Sequence, residues 1–293
     1  MILPTYNGER TDALCKDIAE KSNGTVFLML SGGKDSLCAW LQLRRFFTRV
    51  VPFHCASIPH LAFKDAYLDY LEYEFQTRIL RMMGEDLKMA LARHVYQETV
   101  DQCNRIDKLI RPVEDYDKLT ILSYLRYKFN LPRAWCAVGI SASDSIDRRI
   151  YCNQTGGKSE EHRTFYPCWD WPRSEIIKAI KESGLKLSSE YRYSKRSIGG
   201  VPSATYNAIL ADHYPRDFEK VKFFYPMCDI KNYRMMLLDR NVYEEKQEKI
   251  RARGGKDEEP PRVEQPKEQI DEVEAEDEGA EAEVPIREDS GKE

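Results

Sequence analysis

The chain has 293 residues, 42% of them hydrophobic and 11% aromatic, which is enough to bury a sizeable core in one large domain or two small ones. No apolar run reaches the length of a membrane span, and no basic start precedes an apolar segment, so we expect a cytoplasmic protein without membrane contact. The formal charge of −4 combines a basic part, residues 1–240 with 36 Lys and Arg against 30 Asp and Glu, and an acidic part, residues 241–293 with 9 against 19. Eight cysteines without a C-x-x-C pair favour reduced thiols over a disulfide framework.

Short apolar runs alternate along the chain with segments of helical periodicity. The strands predicted from the apolar runs are TVFLML (25–30), RVVPFHC (49–55), RILRMM (78–83), AWCAVGI (134–140) and RTFYPCWDW (163–171). The predicted helices are 11–22, 36–47, 64–77, most of 85–130 with a break near 110–117, and 172–185. The last helix starts at Pro172 and ends at Gly184, residue types that favour those two positions. This alternation predicts an α/β fold with a twisted, mainly parallel sheet and helices on both faces.

The composition of the chain changes after residue 240. From Asn241 onward there is no Trp, Phe or Leu, and the net charge of this segment is −10. Such a segment cannot bury enough apolar surface to offset its ordering entropy. We therefore predict a folded domain at 1–240, with a small C-terminal lobe at about 185–240, and a disordered acidic tail at 241–293. The tail is either a solubilising spacer or a segment that docks a protein partner.

The stretch SGGKDS (31–36) joins the first predicted strand to the helix that follows it. A glycine-rich turn at a helix N-terminus points several backbone N–H groups at one place, where the helix dipole adds partial positive charge. The two glycines permit tight dihedral angles, the two serines add hydroxyl donors, and Lys34 adds a cation. The stretch therefore predicts an anion cradle suited to phosphate, although it is not the G-x-x-x-x-G-K-[ST] loop. Asp35 either caps the helix or orients a metal-bound water.

In this context SGGKDS resembles the PP-loop of the N-type ATP pyrophosphatases, a superfamily that includes GMP synthetase, tRNA-thiolating enzymes and the phosphoadenosine phosphosulfate (PAPS) reductases. The segment GISASDSIDRR (139–149) is similar to that family's G-x-R-A-x-E-S-x-x-R segment, with Ser141 where arginine is usual. The segment from Phe165 to Ser197 is similar to the P-x-x-D-W…Y…R-S region of PAPS reductase-like proteins. The resemblance covers roughly residues 25–235, and the relatives it suggests are the PAPS reductase-like proteins of phages and DNA-modification clusters.

The resemblance implies an adenine nucleotide α-hydrolase-like fold and an enzyme that cleaves ATP to AMP and pyrophosphate, with Mg²⁺, while adenylating an acceptor. The residues implied as catalytic are Lys34, Asp35 and Arg148. Those implied in nucleotide binding are Ser31, Gly32, Gly33, Lys34, Asp35, Ser36, His54, Ala56, Gly139 and Arg149. Those implied in substrate binding are Asp170, Arg196 and Ser197. His54 and Ala56 follow the second strand, where parallel sheets bind ligands, although a role at the edge of the core is an equal alternative for His54.

Two features of the reductases are missing from this sequence, namely a Glu-Cys-Gly-like tail and a Cys-Cys…Cys-x-x-Cys motif. The expected cofactors are therefore ATP and Mg²⁺, without an iron–sulfur cluster. The preferred acceptor is a nucleobase in DNA or tRNA, because the basic part of the chain leaves room for nucleic acid. Two alternatives stay open: a sulfonucleotide (PAPS or APS) reductase that uses Cys152 or Cys168 as an unconventional thiol, and a non-catalytic nucleotide-binding assembly protein. The sequence is compatible with an oligomer, and a phage-encoded chain would act in the host cytoplasm.

Overall fold

The computed structural model describes residues 3, 6, 8–93, 95–97, 117–194 and 203–230. The chain divides into two units, Met1–Leu238 and Asp239–Glu293, and the described residues all lie in the first. The acidic tail predicted to be disordered lies outside the described residues, and so does nearly all of the predicted helix break near 110–117. The domain boundary at 240 stays a prediction.

Helices and strands alternate through most of the described chain, as the sequence pattern predicts. In chain order the elements are α1 (Glu9–Lys21), β1 (Thr25–Met29), α2 (Lys34–Leu43), β2 (Arg49–Ala56), α3 (Ala62–Phe75), β3 (Leu80–Met83), α4 (Asp86–Ala92), α5 (Lys118–Lys128), β4 (Trp135–Val138), α6 (Ile146–Thr155), β5 (Lys158–Ser159), β6 (Thr164–Phe165), α7 (Arg173–Ser183), α8 (Tyr191–Ser194), α9 (Ala204–His213) and α10 (Pro215–Phe224). Among these elements, no helix is both long enough and apolar enough to cross a membrane.

The described strands form a six-stranded sheet in the order β3-β2-β1-β4-β6-β5. Strand β1 pairs in parallel with β2 and β4, β2 with β3, and β4 with β6, whereas β5 and β6 are antiparallel. The predicted α/β class with a mainly parallel sheet is therefore confirmed. Because the carboxyl ends of parallel strands point to the same edge, the loops after β1, β2, β3 and β4 meet at that edge.

Alternating side chains of the sheet enter two different hydrophobic clusters, because successive residues of a strand face opposite sides. Val26 and Leu28 of β1 belong to a cluster with residues of α1, α2, α3 and α7. Phe27 lies between them and belongs to a second cluster with Ile121 and Leu125 of α5. Helices therefore cover both faces of the sheet, as predicted.

The C-terminal lobe at about 185–240 stays a prediction, but two helices within it, α9 and α10, contribute to a third hydrophobic cluster. Residues of α9 and α10 share this cluster with the segment from Ile58 to Phe63 and with Leu87 of α4. The buried Asp217 of α10 accepts hydrogen bonds from the backbone N–H groups of Ala62 at 2.8 Å and Phe63 at 3.0 Å. The start of α3 has no cap from its own N-cap side chain, so the lobe supplies that cap from a distant part of the sequence.

Helices α8, α9 and α10 were not among the predicted helices, and two further local features differ from the prediction. Helix α6 was not predicted, although Ser145 precedes it and accepts a hydrogen bond from the backbone N–H of Arg148 at 3.2 Å, as an N-cap residue does. The run 163–171 was predicted to be extended, but only Thr164–Phe165 pairs as a strand. The run then turns, with hydrogen bonds from the Trp169 N–H to the Tyr166 carbonyl and from the Trp171 N–H to the Cys168 carbonyl.

Candidate nucleotide-binding site

The SGGKDS stretch closes the turn between β1 and α2. Gly33 directly precedes α2, and Gly32 has a φ of +79°, a left-handed conformation that glycine adopts without strain. Ser31 Oγ accepts a hydrogen bond from the Gly33 N–H at 3.3 Å and donates to Ser36 Oγ at 3.1 Å. Ser36 Oγ in turn donates to the Gly33 carbonyl at 2.9 Å. The two serines predicted to contact phosphate therefore also hold the turn in shape.

The first turn of α2 keeps backbone donors available at the sheet edge. In the part of the chain that the structure describes, the backbone N–H of Asp35 has no protein acceptor. Such unpaired N–H groups, together with the helix dipole, attract anions. The turn thus offers a backbone N–H donor to an anion, whereas both serine hydroxyls are engaged within the turn.

Gly139, which follows β4, packs directly on the start of α2. A Cβ atom at this position would lie 2.4 Å from the Ser36 backbone nitrogen and 2.7 Å from the Asp35 carbonyl carbon. Both are backbone atoms, so they cannot rotate away as a side chain would. The resemblance implies a role of Gly139 in nucleotide binding. The structure shows a packing role: the missing side chain of Gly139 lets the end of β4 approach the N-terminus of α2.

Lys34 and Asp35, predicted to act separately on phosphate and on a metal-bound water, contact each other. Lys34 Nζ lies 2.6 Å from both carboxylate oxygens of Asp35, and the two side chains are 15% and 19% exposed. A cation that is already paired offers less net charge to a phosphate than a free one does. A bound anion must therefore share Lys34 with Asp35 or displace it.

The segment around Tyr191, which is distant in sequence, contacts the turn. The hydroxyl oxygen of Tyr191 accepts a hydrogen bond from the backbone N–H of Lys34 at 3.3 Å. A Cβ atom on Gly33 would lie 3.3 Å from the same oxygen. Tyr67 of α3 supports this arrangement, since its hydroxyl donates to the Lys186 carbonyl at 3.0 Å.

A cavity of about 430 Å³ opens beside the turn, at the carboxyl ends of β2 and β3. Its lining comprises Ser31, His54, Cys55, Ala56, Ser57, Ile58, Pro59, His60, Leu61, Lys64, Asp65, Leu68, Arg81, Met82, Met83, Asp86, Glu190 and Tyr206. The structure therefore brings His54 and Ala56 together with Ser31 of the turn in one cavity, and their role in an adenine pocket stays a prediction. The mixture of apolar walls with a few polar groups is typical of small-molecule sites.

His54 lines this cavity and also forms a hydrogen bond that joins two strands. Its Nδ1 lies 2.7 Å from the Leu30 carbonyl oxygen, and its side chain is buried. Burial lowers the pKa of His54, because it disfavours the charged imidazolium, and the bond to the Leu30 carbonyl opposes this effect. A neutral imidazole with a proton on Nδ1 fits these contacts. His54 thus fastens the end of β1 to β2 from within the cavity wall.

The charged groups around the cavity are paired. Lys64 Nζ lies 2.9 Å from Glu190 Oε1, and Arg81 Nη1 lies 3.4 Å from Asp65 Oδ1. The hydroxyl of Ser57 donates to the carboxylate of Asp86 at 3.0 Å. Lys64, Glu190 and Arg81 are absent from the set predicted from sequence, because isolated charged residues carry no local motif that marks them as functional.

Arg148 and Arg149 lie in the first turn of α6, after the loop that follows β4, and neither lines the cavity. Arg148 Nη1 donates to Asp144 Oδ2 at 2.9 Å, and the Arg148 side chain is 49% exposed. Exposed ion pairs of this kind contribute little free energy, so a ligand can take Arg148 over at small cost. Arg149 is exposed as well.

Asp170, which the resemblance implies in substrate binding, does not line the cavity. Its carboxylate accepts a hydrogen bond from Thr11 Oγ1 at 2.8 Å, and Thr11 Oγ1 accepts one from Trp171 Nε1 at 3.1 Å. These bonds fasten α1 to the turn before α7. The other two residues predicted to bind substrate, Arg196 and Ser197, lie outside the described residues.

The thiols of the reductase alternative are buried. Cys152 is 0% and Cys168 3% exposed. Burial raises the pKa of both thiols, and the neighbouring Cys38 raises that of Cys168 further. Since the thiolate is the nucleophile, neither cysteine is in a state suited to attack sulfur at neutral pH.

Tyr191 is another residue of this site that is absent from the set predicted from sequence. It was matched to the PAPS reductase-like pattern but was assigned no role. Its contact with Lys34 joins residues 157 positions apart. No local pattern predicts such a contact, and only the resemblance of the segment around it marked this tyrosine.

No family model and no curated protein matches the chain. Among solved structures, the chain is similar to a U34-tRNA thiolase, NcsA from Methanococcus maripaludis, with a TM-score of 0.40, 16% identity and coverage of 75% of this chain and 78% of the thiolase. It is also similar to an NH3-dependent NAD synthetase from Campylobacter jejuni, with a TM-score of 0.37, 16% identity and coverage of 76% of this chain and 95% of the synthetase. Both TM-scores lie below 0.5, a level at which a likeness does not establish shared function.

One expectation requires correction. ATP and Mg²⁺ without an iron–sulfur cluster are the cofactors expected from the sequence, whereas the U34-tRNA thiolase to which the chain is similar holds a [4Fe-4S] cluster. The cofactor assignment is therefore wrong in excluding such a cluster and is withdrawn. Ligands of an iron–sulfur cluster can come from distant parts of a chain. A missing local cysteine motif therefore does not exclude a cluster. Among the described residues, no group of three His, Cys, Asp or Glu side chains could hold a metal ion.

Proposed function

We propose that the chain is a PP-loop enzyme that binds ATP, with the phosphates at the turn between β1 and α2 and the adenosine in the adjoining cavity. One observation carries this proposal: Ser31 both closes the glycine turn and lines the 430 Å³ cavity at the ends of β2 and β3. A helix N-terminus beside a cleft at the carboxyl edge of a parallel sheet suits a nucleotide, because the dipole attracts phosphate and the cleft takes the base.

The proposed reaction is cleavage between the α- and β-phosphates. An oxygen of the acceptor attacks the α-phosphorus, the bond from that phosphorus to the bridging oxygen breaks, and pyrophosphate leaves with the electron pair. The acceptor is then adenylated, and a later nucleophile displaces AMP from it. The N-terminus of α2 faces the departing charge, so its backbone N–H groups and Lys34 stabilise the leaving group.

We propose further that the chain belongs to the PAPS reductase-like subfamily. One residue departs from the pattern of that subfamily. Ser141 stands where the resembling segment usually has arginine, and it is only 1% exposed. Its Oγ lies 2.7 Å from Ser143 Oγ, so it holds a local turn. We therefore assign no phosphate contact to this position and propose Arg148 and Arg149 as the cations that a ligand recruits from α6.

We propose a nucleobase in DNA or tRNA as the acceptor. We propose that the protein acts in the cytoplasm, and in the host cytoplasm if a phage encodes the chain. The support is the basic composition of residues 1–240, with 36 Lys and Arg against 30 Asp and Glu. The acidic segment after residue 240 is proposed to dock a protein partner rather than the nucleic acid, because its charge would repel phosphate.

The test is to incubate the protein with ATP labelled at the α-phosphate, in magnesium buffer, with DNA, tRNA or small-molecule acceptors. Formation of AMP and pyrophosphate with one acceptor class supports the proposal, whereas ADP as the main product contradicts it. Nucleotide binding without cleavage, across the panel, would favour the non-catalytic assembly protein. Sulfite released from PAPS or APS by a thiol reductant, without ATP, would favour the reductase.

A matched pair of variants makes the assay specific to the turn. Lys34→Met removes the cation beside the proposed leaving group and should lower the rate of AMP formation at least about tenfold, the effect expected from losing about 1.4 kcal/mol of transition-state stabilisation. Lys21→Met makes the same chemical change in α1, where Lys21 Nζ forms an exposed ion pair with Asp17 at 2.8 Å. The Lys21 variant should keep the rate of the unaltered protein.

A further inference from the structure

We infer that Tyr191 is a phosphate-binding residue of the proposed ATP site and that its hydroxyl donates a hydrogen bond to the phosphate held at the start of α2. This inference rests on the proposed function, and it adds a group from the C-terminal side of the sequence to the anion cradle.

The hydrogen-bond geometry of Tyr191 leaves its proton free for a ligand. The hydroxyl oxygen accepts from the backbone N–H of Lys34 at 3.3 Å through one of its two lone pairs, and this contact does not use the O–H proton. Among the described residues, none accepts a hydrogen bond from the Tyr191 hydroxyl. A phenol bound in this way presents one donor at a helix N-terminus, where an anion is favoured.

The position of the Tyr191 oxygen is at the cradle itself. An added Cβ on Gly33 would lie 3.3 Å from this oxygen and 3.4 Å from Ser31 Oγ, so the two hydroxyl groups flank the same glycine. Ser31 Oγ already donates its proton to Ser36 Oγ at 3.1 Å. Tyr191 therefore supplies a hydroxyl donor that the serines, engaged with each other and with the turn, do not.

The segment that carries Tyr191 is fixed in place by several side chains of α3. Tyr67 donates its hydroxyl proton to the Lys186 carbonyl at 3.0 Å, and the hydroxyl oxygen of Tyr70 accepts from the Lys186 N–H at 2.9 Å. Next to Tyr191, the carboxylate of Glu190 lies 2.9 Å from Lys64 Nζ. These bonds hold the ligand-facing phenol in position before the ligand arrives, which lowers the ordering cost of binding.

The test measures three ligands by calorimetry, with Tyr191→Phe beside the unaltered protein. The ligands are ATP and inorganic pyrophosphate, which carry phosphate, and adenosine, which does not. Loss of one hydrogen bond to a charged group should weaken binding of ATP and pyrophosphate about tenfold. Adenosine affinity should stay unchanged, because the phenyl ring is retained; a purely structural role of Tyr191 would weaken all three ligands together.

Tyr193→Phe is the matched control, since Tyr193 lies on the same short helix. It is 44% exposed and stacks on His213 with ring centroids 3.6 Å apart. Its variant should bind all three ligands as the unaltered protein does. Equal or tighter binding of ATP by Tyr191→Phe would overturn the inference and leave the proposed function standing. Absence of ATP and pyrophosphate binding in the unaltered protein would overturn both.

Discussion

Gly139→Ala tests whether the approach of β4 to the start of α2 positions the nucleotide site. The added methyl carbon would meet the Ser36 nitrogen at 2.4 Å, the Ser36 Cα at 2.5 Å and the Asp35 carbonyl carbon at 2.7 Å. Real Cβ contacts of this length do not occur, so either β4 or the first turn of α2 must shift. Overpacking of this kind costs about 2 kcal/mol, which lowers Tm by roughly 4–8 °C in a domain of this size.

The same shift should reach the ligand, because the displaced atoms belong to the turn that carries the N–H donors. We expect the affinity of Gly139→Ala for ATP to fall at least about tenfold, equivalent to about 1.4 kcal/mol. The assay is calorimetric titration of ATP, with Tm measured on the same samples by thermal unfolding.

Gly156→Ala is the matched control for this prediction. Gly156 ends α6 with a φ of +63°, and no atom lies within 4 Å of an added Cβ. The substitution adds backbone strain of about 1 kcal/mol without a steric clash, so Tm should fall by roughly 2–4 °C while ATP affinity stays unchanged. A Gly139 variant with unaltered Tm and unaltered ATP affinity would refute the reasoning about the contact between β4 and α2.

Three further predictions follow from single residues. Gly33→Asp places a carboxylate at the cradle and should weaken ATP binding at least ~30-fold, about 2 kcal/mol, in calorimetry of a folded variant; unchanged affinity would exclude the turn as the phosphate site. Because burial lowers the pKa of His54, the unfolded chain binds more protons at this group, so the free energy of unfolding should decrease as the pH falls below about 6.5. The decrease should be smaller in His54→Gln, measured by urea unfolding at pH 7 and pH 5, and an equal slope in both proteins would contradict it. Asp217→Asn leaves one acceptor oxygen for the two N–H groups that start α3 and should cost about 1–2 kcal/mol in the same urea assay, with Asp212→Asn, an exposed change on α9, as the neutral comparison.

The sequence predicted the parts of this molecule that depend on neighbouring residues. The turn at 31–36 follows from an apolar run, two glycines and a helix-like pattern that are contiguous in the chain. The helix at Arg173–Ser183 follows in the same way from Pro172 and Gly184, which the structure places at its two ends. His54 and Ala56 line the cavity at the carboxyl ends of the strands, where the parallel class led us to expect ligands, while their role in nucleotide binding stays a prediction.

What the sequence did not predict depends on contacts between distant segments. Asp170 was predicted to bind substrate, and the structure adds a contact that no local pattern indicates, a hydrogen bond from Thr11, 159 positions away, to its carboxylate. Gly139 was matched to a nucleotide motif, while its lack of a side chain serves the packing of β4 on α2. The contact of Tyr191 with Lys34 is equally remote. Residue type and local spacing are compatible with a binding role and with a structural role for each of these residues. Only the three-dimensional arrangement shows their contacts.

The electrostatics of the site indicate how it would select a ligand. Lys34 pairs with Asp35, Lys64 with Glu190 and Arg81 with Asp65, so each of these cations already has a carboxylate partner. Attraction by net charge is therefore weak, and we expect the proposed ATP to be held by directed donors, namely the backbone N–H groups of α2 and the hydroxyl of Tyr191. The strength of a directed hydrogen bond depends on its geometry. Paired charges produce only a weak long-range electrostatic field, which salt screens further. A site of this kind distinguishes ligands by the placement of their phosphates more than by their total charge.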